Sequence, residues 1–332
     1  MKAIVYTQYG SPDVLQLKDV EAPVPLDDEV LVEVHAASVN AYDWHFLTAD
    51  IFLIRLFGGG LLRPQKTTLG ADIAGRVTAV GKDVRRFQPG DQVFGTAKGS
   101  SGGFAEYVCA PEKSLELKPA NISFEAAAAV PIAALTALQG LRDKGQIELG
   151  KKVLIHGASG GVGSFAVQIA KSFGAEVTAV CSSRNVEIAR LVGADHVIDY
   201  TREDFTKHGE LYDLILVANG NLSMLEYKRS LKPNGICVLS GGGSGSIVQI
   251  LAGMLLAWWI SKTESKKISS LLAKINPQDL ALMKGLLESS KVKPVIDRRY
   301  LLSETAEALR YLGEGHAKGK VIITMRPDDD NS

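Results

Sequence analysis

The sequence predicts a two-domain α/β chain, with a β-rich domain built from both ends of the polypeptide and a doubly wound parallel-sheet domain between them. Three observations lead there. At 332 residues the chain exceeds what one hydrophobic core usually fills. Its first third is a series of short strand-like runs broken by Gly/Pro turns, whereas helix and strand alternate from residue 124 onward. Within that alternating part, the glycine-rich segment 153–163 sits where a buried strand runs into a helix.

The strands expected in the first third are 3–6, 14–20, 29–38, 73–80, 92–94 and 104–110. Val30, Val32 and Val34 alternate with Leu31, Glu33 and His35, the period of a strand with one buried face. Pro89-Gly90-Asp91 marks a turn between two of these strands. Such a series is expected to form a barrel or a curled sheet. An Ala-rich helix from residue 124 opens the second domain, followed by strand 152–156, helix 163–173, strand 176–181 and helix 186–191. Strands 196–198 and 213–217, a helix near 222–230 and strands 236–240 and 267–272 complete it. Helix 277–290, strand 294–299, helix 303–312 and strand 320–325 carry no glycine fingerprint, so this tail is expected to return to the first domain. The expected domains are therefore 1–123 with 275–332, and 124–274.

Composition removes several function classes. Lysine plus arginine and aspartate plus glutamate each number 37, and this balance argues against a protein that works by neutralising nucleic-acid phosphates. Cys109, Cys181 and Cys237 lie far apart and form neither a disulfide framework nor a metal-ligand pair, which fits a reducing compartment and a cytoplasmic location. No charged residue occurs between Lys232 and Lys262, but this stretch contains Pro233 and a Gly/Ser run after Ser240. Its apolar remainder, 247–260, falls short of the roughly 20 residues a bilayer requires. It is read as a buried or substrate-facing helix, the alternative being a helix on a membrane surface, and no integral membrane span is expected.

The most informative stretch is Val153-Leu154-Ile155-His156-Gly157-Ala158-Ser159-Gly160-Gly161-Val162-Gly163. Ala158, Gly160 and Gly163 stand where the dinucleotide fingerprint places its three small residues, for a tight turn, close approach to a pyrophosphate, and close packing of helix on strand. Ser159, Gly160, Gly161 and Val162 are accordingly cofactor-binding candidates, since the helix start offers free N–H groups to phosphates. The next strand ends Cys181-Ser182-Ser183-Arg184 without the carboxylate that would bind a free ribose hydroxyl. Ser182 and Arg184 instead suit a 2′-phosphate, so the expected cofactor is NADPH.

Taken with Gly70-Ala71-Asp72 through Val80-Gly81, Phe87-Gln88-Pro89-Gly90-Asp91, Gly103-Phe104-Ala105-Glu106-Tyr107 and Gly315-His316-Ala317-Lys318-Gly319-Lys320, this segment resembles the zinc-free quinone oxidoreductases of the medium-chain dehydrogenase/reductase superfamily over nearly the whole chain. The resemblance implies a GroES-like β-barrel catalytic domain plus a Rossmann domain. Zinc-dependent relatives bind metal through a cysteine near residue 40 and a Gly-His-Glu near residue 70, and often carry four close cysteines near residue 100. Here Asn40-Ala41-Tyr42-Asp43, Gly70-Ala71-Asp72 and Lys98-Gly99-Ser100-Ser101-Gly102 stand in those places, so both metal sites are expected to be absent.

The implied activity is zinc-independent hydride transfer from NADPH to a quinone or similar electron-poor small molecule. A reductase of α,β-unsaturated carbonyl compounds and a non-catalytic NADPH-binding protein are the alternatives. Asn40 is implied near the nicotinamide ribose and substrate, and Tyr42 is either a proton donor or a packing residue. Thr136 is implied under the nicotinamide and Tyr200 near the adenosine phosphate. Asn219, Ser240 and Gly241 are implied at strand ends beside the cofactor, and Lys320 reaches it from the returning tail. Residues 49–66 and the helix with Trp258 and Trp259 are the candidate lids, and a homodimer through the Rossmann sheet edge is the implied assembly.

Overall fold

The structure is a computed structural model that describes residues 1–50, 54–55, 60–220, 222–240 and 265–325. The candidates Gly241, Trp258 and Trp259, the apolar segment 247–260 and much of the 49–66 loop lie outside the described residues. The chain divides into two units: Met1–Ile132 with Ile275–Ser290 and Pro294–Ser332, and Ala133–Lys274 with Lys291–Lys293.

In chain order, β1 (Lys2–Val5) and β2 (Gln16–Asp19) form an antiparallel pair. β3 (Glu29–Val39) leads into helix α1 (Ala41–Thr48), then β4 (Asp72–Val80), β5 (Gln92–Thr96), β6 (Tyr107–Pro111) and β7 (Leu115–Leu117). α2 (Phe124–Ala128) starts at Ser123, whose hydroxyl accepts from the Ala126 N–H at 3.1 Å, and α3 (Pro131–Gln139) opens on a proline. The alternating part runs β8 (Lys152–His156), α4 (Gly161–Ser172), β9 (Glu176–Cys181), α5 (Val186–Leu191) and β10 (His196–Asp199). It continues with β11 (Tyr212–Val217), α6 (Met224–Arg229), β12 (Leu231–Leu239) and β13 (Lys267–Ser270). The tail adds α7 (Pro277–Glu288), β14 (Ile296–Leu301), α8 (Thr305–Gly313) and β15 (Lys320–Thr324).

In the first unit β3 is the hub. Val30, Val32 and Val34 point into the core as their alternation predicts. One edge of β3 pairs with β4, while the other is shared by β6 along Glu29–Glu33 and β15 along Ala36–Val39. Register shifts at Leu31/Val32 and Val34/Ala36 bend the strand between these partners. The sheet order is β14-β15-β3-β4-β5-β7, with β6 on β3. This curled sheet is the GroES-like domain that the family resemblance implied, and among the described residues no pairing joins its ends. The tail does return to this unit, because β15 pairs with β3. Helix α2, expected to open the second domain, packs on β3 and β4 in the first, and the division falls between Ile132 and Ala133.

The second unit is a six-stranded parallel sheet in the order β10-β9-β8-β11-β12-β13. Counted from β8, that is the 3-2-1-4-5-6 order of dinucleotide-binding sheets, with the order reversing between β8 and β11. Val153, Leu154 and Ile155 are fully buried, as a central strand of such a sheet requires.

Candidate active site

The first unit holds a buried ionic network at the start of α1. Asn40 precedes the helix, and the Asp43 carboxylate reaches back to accept from the Asn40 N–H at 2.9 Å and from the Gly70 N–H at 2.9 Å. The Asn40 side chain does not cap the helix. Its Nδ2 donates to Asp72 Oδ2 at 2.9 Å, and its Oδ1 accepts from Lys320 Nζ at 2.5 Å. Lys320 also donates to the Val39 carbonyl at 3.2 Å and lies 3.6 Å from Asp72 Oδ2. Asp72 further accepts from Ser38 Oγ at 3.0 Å and from the Ile132 N–H at 3.0 Å, in the first turn of α3. Ser38, Asp43 and Asp72 are fully buried and Lys320 is 3% exposed.

Two carboxylates share one ammonium in this low-dielectric setting. Burial pushes the Asp43 carboxyl up to about 7, against the two backbone N–H groups that favour its ionised form. Burial likewise raises Asp72 and lowers Lys320, while the attraction between the two opposes both shifts. Tyr42, on the first turn of α1, is half-buried and lies outside this network. Its ring packs on Phe46 with centroids 4.3 Å apart, and its hydroxyl oxygen accepts from Lys66 Nζ at 3.4 Å.

The second unit places Ser159, Gly160, Gly161, Val162, Ser182, Arg184, Tyr200, Asn219 and Ser240 at or just beyond the carboxyl ends of its strands. Gly157 ends β8 at φ +81°, and a Cβ there would meet the Asn219 backbone at 2.6 Å. A Cβ on Gly163 would lie 2.1 Å from the Gly157 carbonyl oxygen, so α4 rests directly on the turn. At Gly160 a Cβ would project into open space, its nearest neighbour the Gly157 oxygen at 3.5 Å. The first turn of α4 has no side-chain cap, which leaves the N–H groups at the helix start without a side-chain partner. Ser159 is buried and its hydroxyl accepts from Asn185 Nδ2 at 2.8 Å. Asn185 Oδ1 is itself buried without a partner among the described residues.

Ser182 and Arg184 follow β9, half-buried and exposed respectively, and Tyr200 follows β10 at 56% exposure. Asn219 follows β11 and donates its N–H to the His156 carbonyl at 3.2 Å. Ser240 follows β12, and its hydroxyl donates to the Val217 carbonyl at 3.0 Å. Thr136 is 7% exposed in the middle of α3. Asn40 and Lys320 meet in the first unit.

The residues not foreseen are Lys66, Asn185, Asp199 and the His156–Tyr227 pair. His156 Nδ1 lies 2.9 Å from the Tyr227 hydroxyl, and burial pushes His156 down to about 4, so it is neutral. Asp199 is a carboxylate beside the end of β9. It sits on β10 in register with Cys181, where its oxygens accept from Ser183 and Thr201 and pair with Arg202 at 3.4 Å. Parallel pairing of β9 with β10 is the signal that would have revealed it.

Known proteins match this arrangement over its full length. Residues 26–120 match the alcohol dehydrogenase GroES-like domain, and residues 192–323 the zinc-binding dehydrogenase domain. The chain is 34% identical to a chloroplast envelope quinone oxidoreductase homolog of Arabidopsis thaliana, covering 97% of this chain and 98% of that one. It is also 34% identical to an NADPH-dependent alkenal/one oxidoreductase, chloroplastic, of the same plant, covering 98% and 80%. The solved quinone oxidoreductase of Coxiella burnetii superposes with a TM-score of 0.86 at 32% identity, covering 98% of this chain and 99% of that one. The chain belongs to the quinone oxidoreductase-like group of the medium-chain dehydrogenase/reductase superfamily.

As a member of that superfamily it is an oxidoreductase, and the name of one matching domain raises the question of zinc. The residues present do not fit the ion. Asp72 has both oxygens engaged and an ammonium beside it, and Asn40 is committed to Lys320 and Asp72. Among the described residues no three His, Cys, Asp or Glu side chains gather as a ligand set. No helix among the described residues is long and apolar enough to cross a membrane.

Proposed function

We propose that this protein is an NADPH-dependent oxidoreductase that works without zinc and reduces an electron-poor acceptor, a quinone or an enone. The observation that carries the reading is the room for a ligand at Gly160, at an uncapped helix start where the strand order reverses, with Gly157 and Gly163 in close backbone contact beside it. NADPH, when bound, supplies a hydride.

The chain's own residues hold and orient it. Gly161 and Val162 donate backbone N–H bonds to the pyrophosphate, with Ser159 beside them. Asn185 Oδ1, an orphaned buried acceptor, takes a ribose hydroxyl. Ser182 and Arg184 take the 2′-phosphate, and the hydrogen bonds and ion pair already made by Asp199 blunt the repulsion its charge would exert. Tyr200 borders the adenosine, while Thr136, Asn219 and Ser240 support the nicotinamide side. On the acceptor side we place Asn40 and Tyr42. Asn40 is uncharged and fully bonded, so it fixes geometry and moves no proton; Lys320 acts through Asn40 rather than on the cofactor.

The Asp72–Lys320 pair supports zinc independence, because the charge a metal would bring is already supplied by an ammonium. Three buried free thiols support a reducing compartment, which we take to be the cytoplasm, and a homodimer through an edge of the six-stranded sheet is the assembly we expect. The test is NADPH oxidation against a panel of quinones and enones. Turnover of at least one class is expected. Tight NADPH binding with every acceptor inert would leave a non-catalytic binding protein and overturn the proposal.

A further inference from the structure

We infer that Asp199 raises affinity for a 2′-phosphorylated nucleotide, against the sign of its own charge, by holding the turn 182–185 in the shape that takes the phosphate; the inference rests on the NADPH reading above. The turn leaves the carboxyl end of β9 as a single 3₁₀ turn over Ser183–Asn185, closed by the Asn185 N–H donating to the Ser182 carbonyl at 2.9 Å. Its side chains alternate in task. Ser182 and Arg184 are the proposed phosphate ligands, and the Ser182 hydroxyl is not spent on capping the turn. Ser183 and Asn185 are anchors. Ser183 Oγ donates to Asp199 Oδ2 and lies 2.8 Å from Thr201 Oγ1, which ties the turn to the end of β10. Asn185 Nδ2 donates to Ser159 Oγ at 2.8 Å, which ties it to the glycine turn after β8, and both of these residues are buried.

Asp199 is itself fixed before any ligand arrives. It stands on β10 in register with Cys181, the last residue of β9. Its Oδ1 accepts from the Thr201 N–H at 3.0 Å and from the Thr201 hydroxyl at 2.7 Å, and Arg202 Nε lies 3.4 Å from Oδ2. The Ser183 and Thr201 hydroxyls hold its carboxyl below its ordinary value, so it is ionised at neutral pH and remains a strong acceptor. Two effects of this carboxylate oppose each other. Its charge repels a phosphate, but Ser183 and Arg184 are exposed, and in water a charge about one Debye length away changes affinity by only about twofold. Without the Ser183 anchor the turn must be ordered anew each time a nucleotide binds. Immobilising even two side chains on binding costs roughly tenfold in affinity. Positioning outweighs repulsion. Asp199 is therefore a positioning residue, and Ser182 and Arg184 are the groups it positions.

The experiment measures binding of NADPH and NADH by fluorescence titration, and of 2′,5′-ADP by displacement of NADPH, to full-length wild type, Asp199→Asn, Asp199→Ala, Ser183→Ala, Ser183→Thr and the Asp199→Ala/Ser183→Ala double variant. Asp199→Ala and Ser183→Ala should each weaken NADPH and 2′,5′-ADP by about tenfold, while NADH, which has no 2′-phosphate, changes by no more than about twofold. The double variant should match either single one within about twofold, because both remove the same anchor. Asp199→Asn removes the charge and keeps the shape. It should still weaken 2′,5′-ADP by about threefold, since a neutral amide accepts less strongly than a carboxylate. Ser183→Thr retains the hydroxyl and should bind like wild type. Tighter NADPH binding in Asp199→Asn or Asp199→Ala would show that repulsion dominates and would overturn the inference. Equal losses with NADPH and NADH would make Asp199 structural and overturn it as well. Wild type that holds NADH as tightly as NADPH would instead overturn the NADPH reading itself, on the wild-type measurement alone.

Discussion

Lys320 carries a charge that the interior tolerates only because Asp72 lies 3.6 Å away and Asn40 accepts from it. Lys320→Met should therefore cost about 3–5 kcal/mol in denaturant unfolding, since it leaves a buried carboxylate without its cation. Adding Asp72→Asn should return much of that loss. Asp43 sets a second test. Its carboxyl is raised from an unfolded value near 3.8 to about 7, so the folded state holds the proton more tightly than the unfolded chain. Asp43 is neutral in both states below pH ~4. As pH rises from there to about 7, deprotonation is easier unfolded and stability falls; above 7 the loss is complete. Asp43→Asn should remove this slope relative to wild type, at a fixed cost of about 1–3 kcal/mol for one unmade buried hydrogen bond. Equal slopes in both proteins would mean that Asp43 is not the titrating group. None of this network was legible as a network: Asn40, Asp72 and Lys320 are distant in the chain, and only the pairing of β3 with β4 and β15 brings them together.

The β8–turn–α4 element separates Gly157 and Gly163, which the backbone crowds, from Gly160, which has room for a Cβ. Gly160 has an ordinary φ of −78°, so Gly160→Ala should change stability by no more than about 0.5 kcal/mol. Its methyl group would stand where the pyrophosphate approaches, and NADPH affinity by fluorescence titration should fall at least about tenfold. Gly163→Ala should behave oppositely, because its Cβ meets the Gly157 oxygen at 2.1 Å and the helix must lift. Thermal unfolding should report a loss of about 1–3 kcal/mol there. This element was the most legible in the chain. Strands 152–156 and 176–181 and helix 186–191 were placed to the residue, because buried β-branched runs end abruptly at glycines or polar turns. Helix α1 was not foreseen, since Tyr42, Trp44, His45 and Phe46 give it little apolar periodicity. Its signal lay instead in the spacing of Asn40 and Asp43, where the carboxylate returns to the N–H at the helix start. Alternation shows which face of a strand is buried but says nothing about whether the outer strands meet, so barrel and curled sheet stayed open together.

For the whole molecule, the proposed cofactor choice and metal independence are the properties to test. Arg184→Ala should reduce kcat/KM with NADPH by about tenfold or more while leaving NADH nearly unchanged, because only NADPH carries the 2′-phosphate. Equal losses with both cofactors would make Arg184 structural. The central claim is direct hydride transfer to an electron-poor acceptor without zinc. It is tested most directly by dialysing the protein against a strong chelator, supplying NADPH deuterated on the transferring face of nicotinamide C4, and following an enone product by NMR. The account predicts an unchanged rate and deuterium at the β-carbon. A rate that is lost on chelation and restored by zinc, or a product formed without deuterium, would contradict it.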